Sequence, residues 1–266
     1  MLHSHRFRAG VLSLLVSALW LPAWAQQVAP EPPAAGVAEP GWHGGGSLLA
    51  GATTGNARTL SVLLNGELQH VTTLDKLTLN GMNHRASATV NQRDQTTAAR
   101  YQYGAQYNRT LDSALLAFAR LGLESDKLAG VARRVSGATG LGWGLLQSSS
   151  HQVTVYGGMG YALDHYLSPR TVDGQTDSRF ERASVYVAQE SVHKLSATTQ
   201  MKQRLDLYAG VSGDRATLAR FTSQLAVALT GHLHQTVGLS GAYNSKPIAG
   251  VRSTDVSLLT GLNLKF

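Results

Sequence analysis

Glu67, Arg100, Arg120, Glu124, Arg204, Asp206, Arg220 and Gln224 are the residues whose types and spacing could act together. Each falls in a segment where apolar and polar residues alternate, and each takes the polar side. Two opposite-charge pairs stand close in sequence, Arg120 with Glu124 and Arg204 with Asp206. A guanidinium beside a carboxylate forms a charge-assisted hydrogen bond. The same arginines left unpaired around a pore would favour small anions. Gln102, Tyr156 and Tyr186 lie on the same polar faces. Asn83-His84 and Ser87 have the residue types of an activated serine. Their odd separation puts His84 and Ser87 on opposite sides of an extended strand, and such a pair also needs a third group to orient it. His232 and His234 share a face, with His193 near another strand end, but two imidazoles without a carboxylate make a thin metal site. Surface histidines are the expectation there. The chain has no cysteine, which excludes disulfides, thiol catalysis and cysteine metal sites. Gly44-Gly45-Gly46 leads into no helix and is no phosphate loop. No catalytic residue, metal or cofactor is expected.

The chain divides into three parts. Residues 1–25 have a basic start with Arg6 and Arg8, an apolar run from Val11 to Leu21, and Ala23-Trp24-Ala25 before Gln26. This is the pattern of a cleaved secretory signal peptide. The apolar run is short of the roughly 20 residues a spanning helix needs. Residues 26–40 hold Pro30, Pro32, Pro33 and Pro40 and read as an extended periplasmic leader. Residues 41–266 carry a period of two throughout, which predicts an all-β domain.

Twelve strands are expected, over residues 42–54, 58–70, 76–88, 97–109, 114–125, 133–145, 152–165, 179–192, 201–212, 216–230, 232–244 and 253–266. Most exceed the roughly 9–11 residues that a tilted spanning strand requires. Strands of a soluble sandwich are shorter, about five or six residues. Charged residues make up only 15% of the chain, against about 25% in soluble domains. The formal charge is +7, but the basic residues are scattered singly, so nucleic acid is not an expected partner. A transmembrane antiparallel β-barrel of about twelve strands accounts for all of this.

The connections after even-numbered strands are tight, so they and both termini should share one end. The connection over 166–178, with Pro169 and Asp173-Gly174, should be the longest. Trp42, Trp143 and Phe266 fall at strand ends on the terminus side, and Tyr101, Tyr103 and Tyr161 towards the other, as interfacial girdles require. The last strand places Leu262, Leu264 and the C-terminal Phe266 on one face. A terminal aromatic in this setting reads as a barrel-assembly signal.

Gly41-Trp42 leads into Gly46-Ser47, then Thr53-Thr54-Gly55-Asn56 at the first hairpin and Thr59-Leu60-Ser61 after it. Further on stand Arg120-Leu121 with Glu124 and Asp126, then Ala129-Gly130, Gly140-Leu141-Gly142 and Asn244-Ser245. Together these resemble the YdiY-like family of salt-induced outer-membrane proteins, a domain of unknown function. The resemblance covers residues 41–266, with Thr-Thr-Gly-Asn its most specific piece. It implies a Gram-negative outer-membrane location and brings no activity or catalytic residues. Asn83-His84 with Ser87 resembles in type the Asn-His…Ser motif of outer-membrane phospholipases, from which the face argument separates it. The expected role is envelope structure or homeostasis by a monomer, without enzymatic chemistry. Its expected partners are outer-membrane lipids, lipopolysaccharide and the barrel-assembly machinery. A narrow diffusion channel for small anionic solutes is the alternative, and a lipid-modifying enzyme ranks third.

Overall fold

The computed structural model describes residues 40–53, 58–90, 93–172, 174–247 and 252–266. The expected signal peptide, residues 26–39 of the leader and Thr54-Gly55-Asn56 of the first hairpin lie outside the described residues. Twelve strands follow one another: β1 (Gly41–Thr53), β2 (Arg58–Val71), β3 (Asp75–Val90), β4 (Arg93–Thr110), β5 (Leu115–Asp126), β6 (Val131–Gln147), β7 (His151–Val172), β8 (Gln175–Lys194), β9 (Thr199–Gly213), β10 (Thr217–Ala228), β11 (Leu233–Asn244) and β12 (Thr254–Lys265). Each pairs antiparallel with its sequence neighbours, and β1 pairs with β12 to close the barrel. Closure satisfies the backbone amides around the wall without leaving an edge, the condition for spanning a bilayer with strands.

The period-two pattern sets which side chains face out. Leu48, Leu64, Leu121, Leu141, Met159, Leu258 and Leu264 all lie on the exterior and are exposed, Met159 by 74% and Leu258 by 68%. A water-soluble surface does not carry so continuous an apolar band. Acyl chains are the solvent that this exterior fits. Trp42, Trp143, Tyr103, Tyr161 and Phe266 are exposed on it.

One expectation about loops is corrected. The stretch predicted as the longest connection, 166–178, is mostly strand: β7 runs to Val172 and β8 begins at Gln175. Pro169 falls where the β7–β8 register shifts between His165 and Arg170. An irregularity of that kind leaves residues out of the ladder, so the missing proline N–H breaks no pairing. Gly174, at φ +84°, makes the tight turn. Val131, Tyr166, Val172 and Phe180 give the projecting hairpin a small apolar core. β11 ends at Asn244 and β12 begins at Thr254, the widest separation in sequence between consecutive strands.

The closing strand ends as its sequence suggests. Phe266 and Gly44 exchange two backbone hydrogen bonds, both 3.0 Å. The Phe266 ring lies over Gly44, where an added Cβ would stand 2.5 Å from the ring Cζ. Register pairs between β1 and β12 run only from Gly45 to Ala50, whereas β1 pairs β2 over its whole length. A displaced C-terminal residue should therefore matter most at this seam. Gly44→Val is expected to push the ring aside and lower the fraction of barrel that resists unfolding in detergent. Heat-modifiable gel mobility reads that fraction directly.

Candidate functional site

The inward faces of the strands build the candidate site. Four residues, Phe118, Tyr156, Tyr186 and Tyr208, form an aromatic stack inside the wall between β5 and β9. Phe118 meets Tyr156 edge-on at 5.4 Å between centroids, and Tyr186 meets Tyr208 at 4.8 Å. Glycines make the room. A Cβ on Gly142 would stand 2.7 Å from Leu116 and 2.9 Å from Tyr156. On the opposite side of the interior Leu49, Leu63 and Leu259 pack with Met82.

Charged residues fill the space between. Asp206, only 6% exposed, accepts hydrogen bonds from Arg120 (2.8 Å), the Tyr186 hydroxyl (2.6 Å) and Arg204 Nε (3.0 Å). Arg204 also donates to Glu190 (2.7 Å) and to Gln106 (3.0 Å). Nearer the end away from the termini, Glu124 collects Arg100 at 2.9 Å, Arg134 at 3.6 Å, and Arg220. With its amide oxygen turned towards the guanidinium groups, Gln102 accepts from Arg220 (2.7 Å) and Arg100 (3.0 Å). Arg134 reaches on to Asp164 through two hydrogen bonds, and Arg182 bridges Asp164 and Asp214. Nearer the termini Lys202 holds Glu67 at 2.9 Å. Gln224 stands opposite Lys202 across the β9–β10 ladder.

Among the described residues this interior network holds seven cations (Arg100, Arg120, Arg134, Arg182, Lys202, Arg204, Arg220) and seven anions (Glu67, Glu124, Asp126, Asp164, Glu190, Asp206, Asp214). Pairing with these carboxylates weakens the field that an unpaired arginine lining would exert on anions.

The candidates read from sequence thus meet in one interior, but with different partners. Arg204 and Asp206 pair as expected. Arg120 and Glu124 do not: four residues along a strand is about 13 Å, out of reach of one salt bridge. Each instead crosses to another strand, Arg120 to Asp206 on β9 and Glu124 to Arg220 on β10. Asp126, Arg134, Asp164, Arg182, Glu190, Lys202 and Asp214 were missing from the candidate set. Parity would have found Arg134, which shares the polar face of Ser136 and Gly140. The Asp214 carboxylate comes from the β9–β10 connection, where parity gives no signal.

Two other constellations change. His84 meets Ser61 on β2, with 2.8 Å between Nε2 and Oγ, and not Ser87. His232 is exposed in a turn, its Nδ1 3.1 Å from the Lys265 carbonyl oxygen, whereas His234 is buried.

A family model described as "Protein of unknown function, DUF481" matches residues 48–266. The chain belongs to this family. The YdiY-like resemblance fits the same family. No curated protein sequence matches the chain. Among solved structures, the COG4313 outer membrane channel from Pseudomonas putida F1 superposes on the DUF481 chain with a TM-score of 0.50 at 13% identity, covering 91% of this chain and 98% of that one. The NanC porin gives a TM-score of 0.49 at 11% identity, covering 84% and 100%. At these identities the likeness is one of fold: the DUF481 chain has the closed-barrel architecture of outer-membrane proteins.

Proposed function

We propose that the protein is a sealed outer-membrane barrel whose role is to maintain the envelope, without solute transport or catalysis. The observation that carries this reading is the network of ion pairs that ties β5 to β9 and to β10 across the interior. Barrels of about eight strands are filled by their own side chains; in this twelve-stranded one an ionic network and an aromatic stack occupy the interior. The short-turn end with both termini faces the periplasm, after export by a cleaved signal peptide. At the other end Arg93, Lys127, Arg133, Arg179, Arg215 and Arg252 supply positive charge near the strand ends and turns. That rim suits the phosphates of lipopolysaccharide. The barrel works as a monomer and is inserted by the assembly machinery, which reads Leu262, Leu264 and Phe266.

The likeness in fold to an outer membrane channel motivates the second reading, a narrow channel for small anions, and the paired interior weighs against it. Cells lacking the protein should admit more of an apolar fluorescent dye after a salt upshift, and the wild-type chain should restore the barrier. If cells carrying the protein instead take up small anionic solutes faster than cells lacking it, the channel reading replaces this one.

A further inference from the structure

We propose that His151, His193 and Met201 form a copper site on the outer wall of the barrel, at the end that carries the termini. His151 opens β7 and His193 lies near the end of β8, and the two are register partners. Met201 on β9 is in turn the register partner of His193. Direct partners project from the same face of a sheet, with Cβ atoms about 4.5–5.5 Å apart. Three consecutive strands therefore present two imidazoles and a thioether in one row.

The imidazoles already hold a metal-binding spacing. Their Nδ1 atoms are 3.0 Å apart, and the ring centroids are 5.3 Å apart at 53°. Two metal–nitrogen bonds of about 2.0–2.1 Å, meeting at roughly 90–110°, separate the nitrogens by about 2.9–3.4 Å. Hydrogen bonding between the two Nδ1 atoms requires one to donate and the other to offer its lone pair. A cation placed between them takes both Nδ1 lone pairs once the donor ring's proton has moved to its own Nε2. His151 is exposed, so a solvated ion can reach the pair.

The donor set selects the ion. Calcium and magnesium take oxygen ligands, and this row contributes nitrogen and sulfur. Imidazole suits zinc, nickel and copper, while thioether sulfur favours Cu(I). The His151–His193 pair alone binds Cu(II), and Met201 adds the soft ligand that retains the reduced ion.

The test uses the untagged protein purified from bacterial envelopes in detergent. Cu²⁺ binding is followed by electron paramagnetic resonance, and Cu⁺ binding by competition with a chromophoric chelator. One ion per barrel is expected, with two-nitrogen hyperfine structure for Cu²⁺. His151→Ala should remove that signature and lower both affinities by about 100-fold, and Met201→Leu should lower Cu⁺ affinity about tenfold while leaving Cu²⁺ within about twofold. His232→Ala is the control and should change neither. Heat-modifiable mobility confirms that each variant is folded, and His193→Gln serves as a second ligand variant. The proposal is overturned if the wild-type barrel shows no saturable copper binding, if His151→Ala and His193→Gln bind as wild type does, if His232→Ala abolishes binding, or if Met201→Leu leaves Cu⁺ affinity unchanged.

Discussion

Asp206→Ala is expected to turn a silent barrel into one that conducts, with a preference for anions. The Asp206 carboxylate is the common acceptor of Arg120, Arg204 and the Tyr186 hydroxyl. Without it, two interior guanidinium groups keep only Glu190 between them as a paired carboxylate. Removing one partner of a buried ion pair costs about 3–5 kcal/mol, because the remaining charge stays desolvated. Water and anions can relieve that cost by entering the interior. The variant should show ion steps in a planar bilayer and unfold at lower temperature. Replacing the pair with apolar residues, Arg120→Met with Asp206→Leu, removes the orphaned Arg120 charge and leaves Arg204 its Glu190 partner. This double variant should recover most of the lost stability and conduct less than Asp206→Ala. Equal conductance in the two variants would mean that the ion pair does not seal the interior.

The second large effect is on folding. Gly140 and Gly158 face each other across the β6–β7 ladder. A Cβ on Gly158 would stand 2.1 Å from the Thr139 carbonyl oxygen and 2.9 Å from Gly140 Cα. A Cβ on Gly140 would stand 2.1 Å from the Gly157 carbonyl oxygen. These are backbone atoms held by the ladder on both sides, so they cannot move aside as a flexible side chain would. Gly158→Val should therefore cost about 3 kcal/mol or more, at the upper end of overpacking effects, and sharply reduce the folded fraction recovered from urea. Gly157 is the internal control: nothing lies within 4 Å of its added Cβ. Gly157→Ala should fold as wild type does. Equal folding yields for Gly158→Val and wild type would contradict the close strand approach.

The barrel was legible because one face of each strand must be apolar and the other must not. Alternation such as Leu60, Val62, Leu64 and Leu68 against Ser61, Asn65, Glu67 and Gln69 determines the faces of β2 without reference to any other strand. Loop length was less legible. Pro169 and Asp173-Gly174 carry turn signals, yet the strands continue around the proline because the pairing is already interrupted there. The interior was legible by parity and illegible by partner. Parity places Glu124 inside, but only the closed order of strands sets it against Arg220 of β10. Phe118 shows the other gap: an apolar ring on a face read as polar, buried because glycines and tyrosines on neighbouring strands leave a pocket of its shape. His84 shows why one-strand motifs mislead, since its serine partner is on the adjacent strand.

Single-channel recording of the wild-type barrel in a planar bilayer tests the sealed interior most directly. A flat current baseline at moderate voltage, from protein shown to be folded and inserted, is the predicted result. Regular stepwise openings with anion selectivity from the unmutated protein would contradict it.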